Sequence, residues 1–410
     1  MQLSVRYRLY PSKEQEEKMS AYLELCRWLY NYFLGIVKCC VKVPNRKLLQ
    51  EMIPALCRHK LELEQLHSKT RQYILYQLYS NIRALSELKK KGRKVGRLRF
   101  KGKGWFKTFV YNQSGFSIKY GVKQKRQMGM LHLSKIGEIP IRLHREVEGE
   151  VKQVTIKRSA NGKWYAIVSY EYDHPINTEP LDGRKTVGVD VGIVNYAYDS
   201  DGKVTAHPHN IDRKLKRLKR EQRRLSRKKK RSRNREKQKV KVATIHEDIT
   251  NSRNDFLHKL SRYYVDNYDV ICMEDLNIQG LMQGASNARN MADASWGRFG
   301  RMVKYKAETA CKLQIQVPPQ NTSQNCSRCG AKVPKTLAVR IHKCPHCGLK
   351  IDRDYNASLN IKRLALERIG WEPSEYTPVE MKPLPISDDG QASSMKQELL
   401  QPARGEAHTL

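Results

Sequence analysis

The chain has 410 residues, long for one compact core, so two or three folded units and a tail are expected. Hydrophobic residues make up 39%, and 78 Lys or Arg against 41 Asp or Glu give a formal net charge of +37. No apolar run is long enough to span a bilayer, and a surface this basic repels itself without a polyanion, so nucleic acid is the expected partner rather than a membrane.

Residues 2–10 read as a strand with Leu3, Val5, Tyr7 and Leu9 on one face, not as a secretory signal, so a cytoplasmic, nucleoid-associated location is expected. Pro11 breaks it, and Ser12 with Gln15 forms the capping box of a helix carrying Met19, Tyr22, Cys26, Leu29 and Phe33 at helical spacing. A second long helix is predicted over 67–89, making 11–90 a helical insertion. From 95 to 175 the period turns alternating, with Asn161-Gly162 as a hairpin turn, and predicts a small β-barrel to which residues 2–10 contribute.

Residues 89–107 hold ten basic residues and no acid, with Phe100, Trp105 and Phe106 interleaved. Bases stack on such aromatics and phosphates pair with such cations, so Arg99, Lys101, Lys103 and Trp105 are candidate nucleic-acid contacts. The plainer alternative is a solvated loop with some core aromatics. After a linker, TVGVDVGIVNYAYDSDGKVTAH predicts two or three strands turning at Ser200-Asp201-Gly202. Residues 212–241 carry 18 Lys or Arg against three acids, with Leu215, Leu218 and Leu225 as a weak apolar stripe. They predict an exposed helix or helical hairpin whose Arg223, Arg224, Arg227 and Lys228 face a polyanion; a solvated charged helix is the alternative. A helix over 255–268, the buried strand YDVICMEDL, a helix over 296–312, the strand LQIQV and a helix over 354–368 follow. Residues 371–410, with five prolines and no periodicity, read as disordered.

Two patterns carry chemistry. Cys326-x2-Cys329 and Cys344-x2-Cys347, each pair followed by a glycine, have the spacing of a closed, tetrahedral, structural Zn²⁺ site. His342 and His346 beside them are read as surface residues, and the other six cysteines as ordinary packing. Asp190 and Glu274 each end an apolar strand, where a carboxylate is costly to bury unless it meets a cation. Asp354, near a helix start, supplies a third acid, with Asp352 as its rival or as a plain cap. Three acids converging on two Mg²⁺ ions are what phosphodiester hydrolysis asks for.

The succession VGVDVGIVNYAYDSDG, RRLSRKKKRS, ICMEDLNIQGL, SWGRF, NTSQNCSRCG…HKCPHCG and DRDYNASLNI resembles the TnpB family, transposon-encoded RNA-guided DNA nucleases related to the type V CRISPR effectors. The likeness covers about residues 2–365. It implies an RNase H-like RuvC nuclease over 185–317 and 351–370, an embedded zinc ribbon over 318–350, a wedge-type β-barrel from 1–10 and 91–180, and a helical recognition insertion over 11–90. On these motifs Asp190, Glu274 and Asp354 are the three catalytic acids and Asp352 a non-ligand neighbour. The implied partners are a guide non-coding RNA from the element's own end and target DNA with a short flanking motif, bound by a monomer. Lys69, Arg71, Gln72 and Gln77 on the second helix are candidates for reading that motif. A non-cleaving transposition regulator and an RNase H-like transposase are the alternatives.

Overall fold

The computed structural model describes residues 1–121, 128–172, 181, 185–208, 210–282, 294–336 and 339–371. Of the expected disordered tail over 371–410, all but Trp371 lies outside them, and Trp371 packs beside Ile361 and Ala365. The chain divides into two compact units: one comprises Met1–Ile176 and His209–Arg253, the other Asn177–Pro208 and Asn254–Leu410.

The first unit opens with β1 (Gln2–Leu9) and α1 (Lys13–Cys39). Ser12 caps α1 as expected: its Oγ accepts from the Gln15 amide at 3.2 Å, and the Gln15 side chain accepts from the Ser12 amide at 3.0 Å. The apolar stripe of α1, Met19, Tyr22, Cys26, Leu29 and Phe33, is buried. Helices α2 (Arg46–His59) and α3 (Ser68–Lys90) follow. Of these α2 is unexpected from the sequence, because Pro54 in its interior disguises its period.

Strands β2 (Thr108–Asn112), β3 (Phe116–Lys119), β4 (Met128–Leu133), β5 (Gly137–Arg142), β6 (Glu150–Arg158) and β7 (Trp164–Glu171) complete a seven-stranded antiparallel sheet in the order β2-β6-β7-β1-β5-β4-β3. The N-terminal strand lies at its centre, paired along its length with β7. Strands β2 and β3 stand at opposite ends of that order, yet three residues join them. Seven strands laid flat would set their edges about 29 Å apart, whereas so short a connection spans at most roughly 14 Å. The sheet therefore curls until its edges meet at this end. The connection is tied to both flanks: the Gln113 amide donates to the Lys152 carbonyl at 3.0 Å, and the Ser134 amide to the Gly115 carbonyl at 2.8 Å. Inside lie Tyr7, Leu9, Phe109, Tyr111, Trp164 and Val168, each worth about 1.5–3 kcal/mol of burial.

The basic segment forms a helical hairpin of α4 (Asn210–Ser226) and α5 (Arg233–Asn267). Its leucine stripe is real: Leu218 is buried with Val242, Ile245 and Ile249, and Leu215 and Leu225 pack beside them. Residues up to Arg253 belong with the curled sheet, although the sequence reading groups this hairpin with the nuclease segment. The tie is a half-buried hub. Glu247 on α5 accepts hydrogen bonds from Asn161, Lys163 and Tyr165 on the β6–β7 hairpin, at 2.5, 2.9 and 2.6 Å.

The second unit holds β8 (Thr186–Val191), β9 (Asn195–Asp199), β10 (Val204–Ala206), β11 (Val270–Glu274) and β12 (Leu313–Val317) in the order β10-β9-β8-β11-β12. The first three form an antiparallel meander, while β11 is parallel to both β8 and β12. Alternation splits the side chains by face. Val187, Val189, Ile271 and Met273 pack with Leu257 and Tyr264 of α5 and with Phe299 and Val303 of α7 (Trp296–Thr309), which follows the short α6 (Ile278–Met282). Val270, Cys272, Ile315 and Val317 pack on the other face against Ile361 and Ala365 of α8 (Arg353–Arg368). Between β12 and α8 the CxxC segment carries a small hairpin of β13 (Ile341–Lys343) and β14 (Lys350–Asp352).

Candidate nuclease centre and metal site

Parallel register brings the first two acids side by side. Val189 pairs with Met273, so Asp190 and Glu274 are the next residues on adjacent strands, about 5 Å apart across the sheet. Both fall on the face covered by α8. The third acid is delivered by a close approach: a Cβ on Gly188 would stand 2.1 Å from the Ser358 carbonyl oxygen and 2.7 Å from the Lys362 nitrogen. Only glycine lets the backbone of α8 rest on β8. Asp354 lies one helical turn before Ser358, and Asp190 lies two residues beyond Gly188 on the same face, so the two meet.

Electrostatics report the same convergence. Asp190 is held well above the usual Asp range, first by burial and then by the negative charges of Glu274 and Asp354, with Arg353 opposing. Burial also raises Glu274, against a 2.5 Å hydrogen bond that the buried Thr322 hydroxyl donates to its Oε1. Asp352 is the helix cap: its Oδ1 accepts from the Asp354 and Tyr355 amides at 2.7 and 3.2 Å. The Asp354 carboxylate is engaged by cations instead, by Arg353 at 2.9 Å and by Arg340 at 3.5 Å. Among the described residues, four thiols are the one such group with all ligand atoms within 4.8 Å of one another; the acids stand wider.

That thiol group is Cys326, Cys329, Cys344 and Cys347. The Cys326–Cys347 and Cys329–Cys344 sulfur distances are 3.5 and 3.6 Å. Tetrahedral Zn–S bonds of about 2.3 Å imply sulfurs about 3.8 Å apart, so the donor set fits a structural zinc ion. Burial opposes ionisation of Cys344, but the Cys347 and His346 amides aimed at its sulfur bring that thiol down to about 6. Two expectations nearby need correction. His342 is fully buried, not a surface residue, with Nδ1 against the Lys335 amine. Cys39 and Cys40 are exposed rather than packed, because α1 ends there.

The candidate nucleic-acid contacts all lie in the first unit. Arg99, Lys103 and Trp105 are exposed, Trp105 by 71%, whereas Phe106 is core. Their loop is rigidly seated on α1. Asn31 both donates to and accepts from the Lys101 backbone, at 2.9 and 2.8 Å, and Glu24 accepts from the Gly104 amide at 2.9 Å. Lys69, Gln72 and Gln77 on α3 are half-buried. Arg71 turns inward onto the Cys57 sulfur, 2.6 Å from Nη1. Arg223, Arg224 and Arg227 are exposed and Lys228 half-buried; Arg224 is held by Glu221 at 2.8 Å.

Sequence reasoning missed Thr322, Arg340 and Arg353, which hold the acids. It also missed Asn356, which accepts from the Ser327 amide and donates to the Asn325 carbonyl, locking the first cysteine knuckle to α8. Their signal, polar residues at buried helix positions, was present in the spacing of Asn356 and Asn360. A basic groove of about 440 Å³ was missed too. Arg6, Lys157, Lys239 and His246 line it, with the Arg6 guanidinium 4.8 Å over the Tyr165 ring.

Comparison with known proteins identifies the chain's relatives. The OrfB_IS605 family model, described as "Probable transposase", matches residues 167–285; a "Cas12f1-like, TNB domain" model matches 296–361, and a "Helix-turn-helix domain" model matches 1–38. Residues 1–38 here form β1 and most of α1. A Streptomyces pristinaespiralis protein named "Putative RNA-guided DNA endonuclease" is 31% identical, covering 87% of each chain. The InsQ protein of Escherichia coli K12, which carries the same description, is 29% identical over 87% of this chain and 90% of its own. Among solved structures, a Cas12f1 chain from a complex with single-guide RNA and target DNA superposes with a TM-score of 0.51 at 14% identity, covering 85% of this chain and 81% of that one. That likeness shows shared fold, while identity above 30% along nearly the whole length shows kinship: the chain belongs to the TnpB family of RNA-guided DNA endonucleases.

Proposed function

We propose that the chain is an RNA-guided DNA endonuclease that cuts both strands of its target in turn at one RuvC-type centre formed by Asp190, Glu274 and Asp354. The observation that carries this reading is the convergence of those carboxylates: burial first, and then the negative charges of Glu274 and Asp354, hold Asp190 well above the usual Asp range. Buried acids in that state are a site built for positive charge. Two Mg²⁺ ions bound there would supply an activated water and stabilise the departing oxygen.

The protein's own residues then have distinct tasks. Thr322 fixes Glu274 in one orientation. Asp352 caps α8, leaving Asp354 available, and Arg353 and Arg340 balance its charge until a cation takes their place. The zinc-loaded ribbon rigidifies the segment that runs directly into Asp354. The curled sheet with its helical insertion is the wedge and recognition part. Its pinned Arg99–Trp105 loop, α3 and the α4–α5 hairpin hold the transposon-derived guide RNA and read a short motif beside the target.

The test is direct. The protein is co-purified with its RNA, the RNA is sequenced, and matched DNA is offered with Mg²⁺. Cleavage by the wild type and none by Asp190→Ala, at equal RNA content, is expected. An Asp190→Ala complex that cuts at the wild-type rate overturns the site. The description of the matched family as transposase motivates one control: joined rather than free DNA ends would favour strand transfer.

A further inference from the structure

Between β12 and the first cysteine knuckle the chain makes one tight turn. Asn321 stands in the left-handed region at φ 62°, which asparagine tolerates, and the Gln324 and Asn325 amides both donate back to its carbonyl, at 2.9 and 2.8 Å. The next residue in the turn is Thr322, whose hydroxyl holds Glu274. That hydroxyl has one proton and two acceptors within reach: Glu274 Oε1 at 2.5 Å and the Pro319 carbonyl at 3.3 Å. Where the turn sets Thr322 decides which of them receives the proton.

The turn is strapped from outside itself. Asn360 on α8 donates through Nδ2 to the Thr322 carbonyl at 2.8 Å and to the Asn325 carbonyl at 2.7 Å. Asn356, one helical turn earlier, donates to the same Asn325 carbonyl at 2.7 Å. Lys335 Nζ donates to the Ser323 carbonyl at 2.9 Å and rests on His342 of β13. Asn356, Asn360 and Thr322 are all buried. Asn360 Oδ1 is buried there without a hydrogen-bond partner. An apolar side chain would avoid that cost, so packing does not account for an amide at this place, whereas the two bonds it donates do.

Helix α8 already carries Asp354 in its first turn and rests on Gly188, two residues before Asp190. Asn360 extends its reach to the remaining acid. We propose that Asn360 is a positioning residue of the nuclease centre: by holding the Thr322 carbonyl it keeps the Thr322 hydroxyl on Glu274 rather than on Pro319, so that one helix sets all three carboxylates. The inference rests on the reading of Asp190, Glu274 and Asp354 as that centre. Asn356 supplies a control, because it ties the same turn at Asn325 and Ser327 without touching Thr322.

The experiment uses the whole protein with its co-purified RNA. Mg²⁺ binding is followed by isothermal titration before any target is added, with the Asp190→Ala complex as the blank for ions held by the RNA. Cutting rate, RNA content and melting temperature are measured on the same preparations. The variants are Asn360→Leu, which fills the asparagine's space without a donor, Thr322→Val, the two together, and Asn356→Leu. A loss of about 10–100-fold in Mg²⁺ affinity or cutting is expected for Asn360→Leu. The pair should lose no more than Thr322→Val alone, since both changes break one chain of contacts. Asn356→Leu should lower the melting temperature and leave Mg²⁺ affinity unchanged. If Asn360→Leu does not fold, Asn360→Ser, smaller and still polar, takes its place in the same cycle. Losses that multiply in the pair, a Mg²⁺ affinity and cutting rate in Asn360→Leu equal to the wild type's, or an equal loss in Asn356→Leu overturn the positioning role. A wild type that binds no Mg²⁺ and cuts no matched DNA would instead strike the nuclease reading on which it rests.

Discussion

The second unit carries two candidate metal centres, and they are prepared in opposite ways. The four thiols of the ribbon already stand within 4.8 Å of one another, held by a β-hairpin and by amides aimed at their sulfurs. The three carboxylates are close enough to repel yet not closed into a ligand cage, and one is occupied by two arginines. A closed site of soft donors serves architecture, since nothing needs to enter. An open site of hard donors held under repulsion serves chemistry, since ions, water and substrate all have to come and go.

The largest effect should come from the open site. Asp190→Ala or Glu274→Gln should lower cleavage by at least about 10³-fold, as the loss of one member of a concerted centre does, with guide-RNA binding unchanged in a filter assay. A variant that keeps activity would erase the contrast by making the acids architectural too. Next comes the closed site: stripping zinc with a chelator, or Cys344→Ser, should loosen residues 326–350 in hydrogen exchange and depress cutting. An unchanged melt and exchange pattern after complete zinc removal would show the ribbon to be decoration.

Thr322→Val tests the holding of Glu274 alone. A loss of about 10–100-fold in activity or Mg²⁺ affinity is expected, the usual effect of removing a ligand's hydrogen-bond partner, and isothermal titration would show which. Smallest is a gain. Asp190 binds its proton more tightly in the folded chain than in the unfolded one, so metal-free stability should fall as pH rises from about 4 through its raised folded value. Asp190→Asn should remove that slope and raise the neutral-pH melting temperature of the metal-free protein by a few degrees, at about 2–4 °C per kcal/mol. A thermal melt series across pH without divalent ions decides it; a flat wild-type series would mean that neither burial nor the neighbouring charges raise Asp190.

The thiols were readable in the sequence because their spacing is the site. The acids were readable as strand ends and a helix start, since Val187-Gly188-Val189-Asp190 and Ile271-Cys272-Met273-Glu274 announce buried strands with a misplaced charge. What pattern alone could not supply was the register that sets Asp190 beside Glu274, or the choice between Asp352 and Asp354. Cap geometry favours Asp354, because Asp352 Oδ1 accepts from two backbone amides. Thr322 was invisible because a lone threonine in a loop has no period, and α2 because Pro54 broke its own. Phe106 looked like its neighbour Trp105 in sequence, and only tertiary packing separates the buried ring from the exposed one.

The ribbon's last strand becomes the cap of α8 without an intervening loop: β14 ends at Asp352, and Asp352 holds the amide of Asp354. Cobalt in place of zinc would bind the same four sulfurs and absorb visible light with a colour set by their geometry. Such a chain would carry its own optical gauge. Loading of the acids would be read as a shift of that band, in a cuvette holding neither guide nor target.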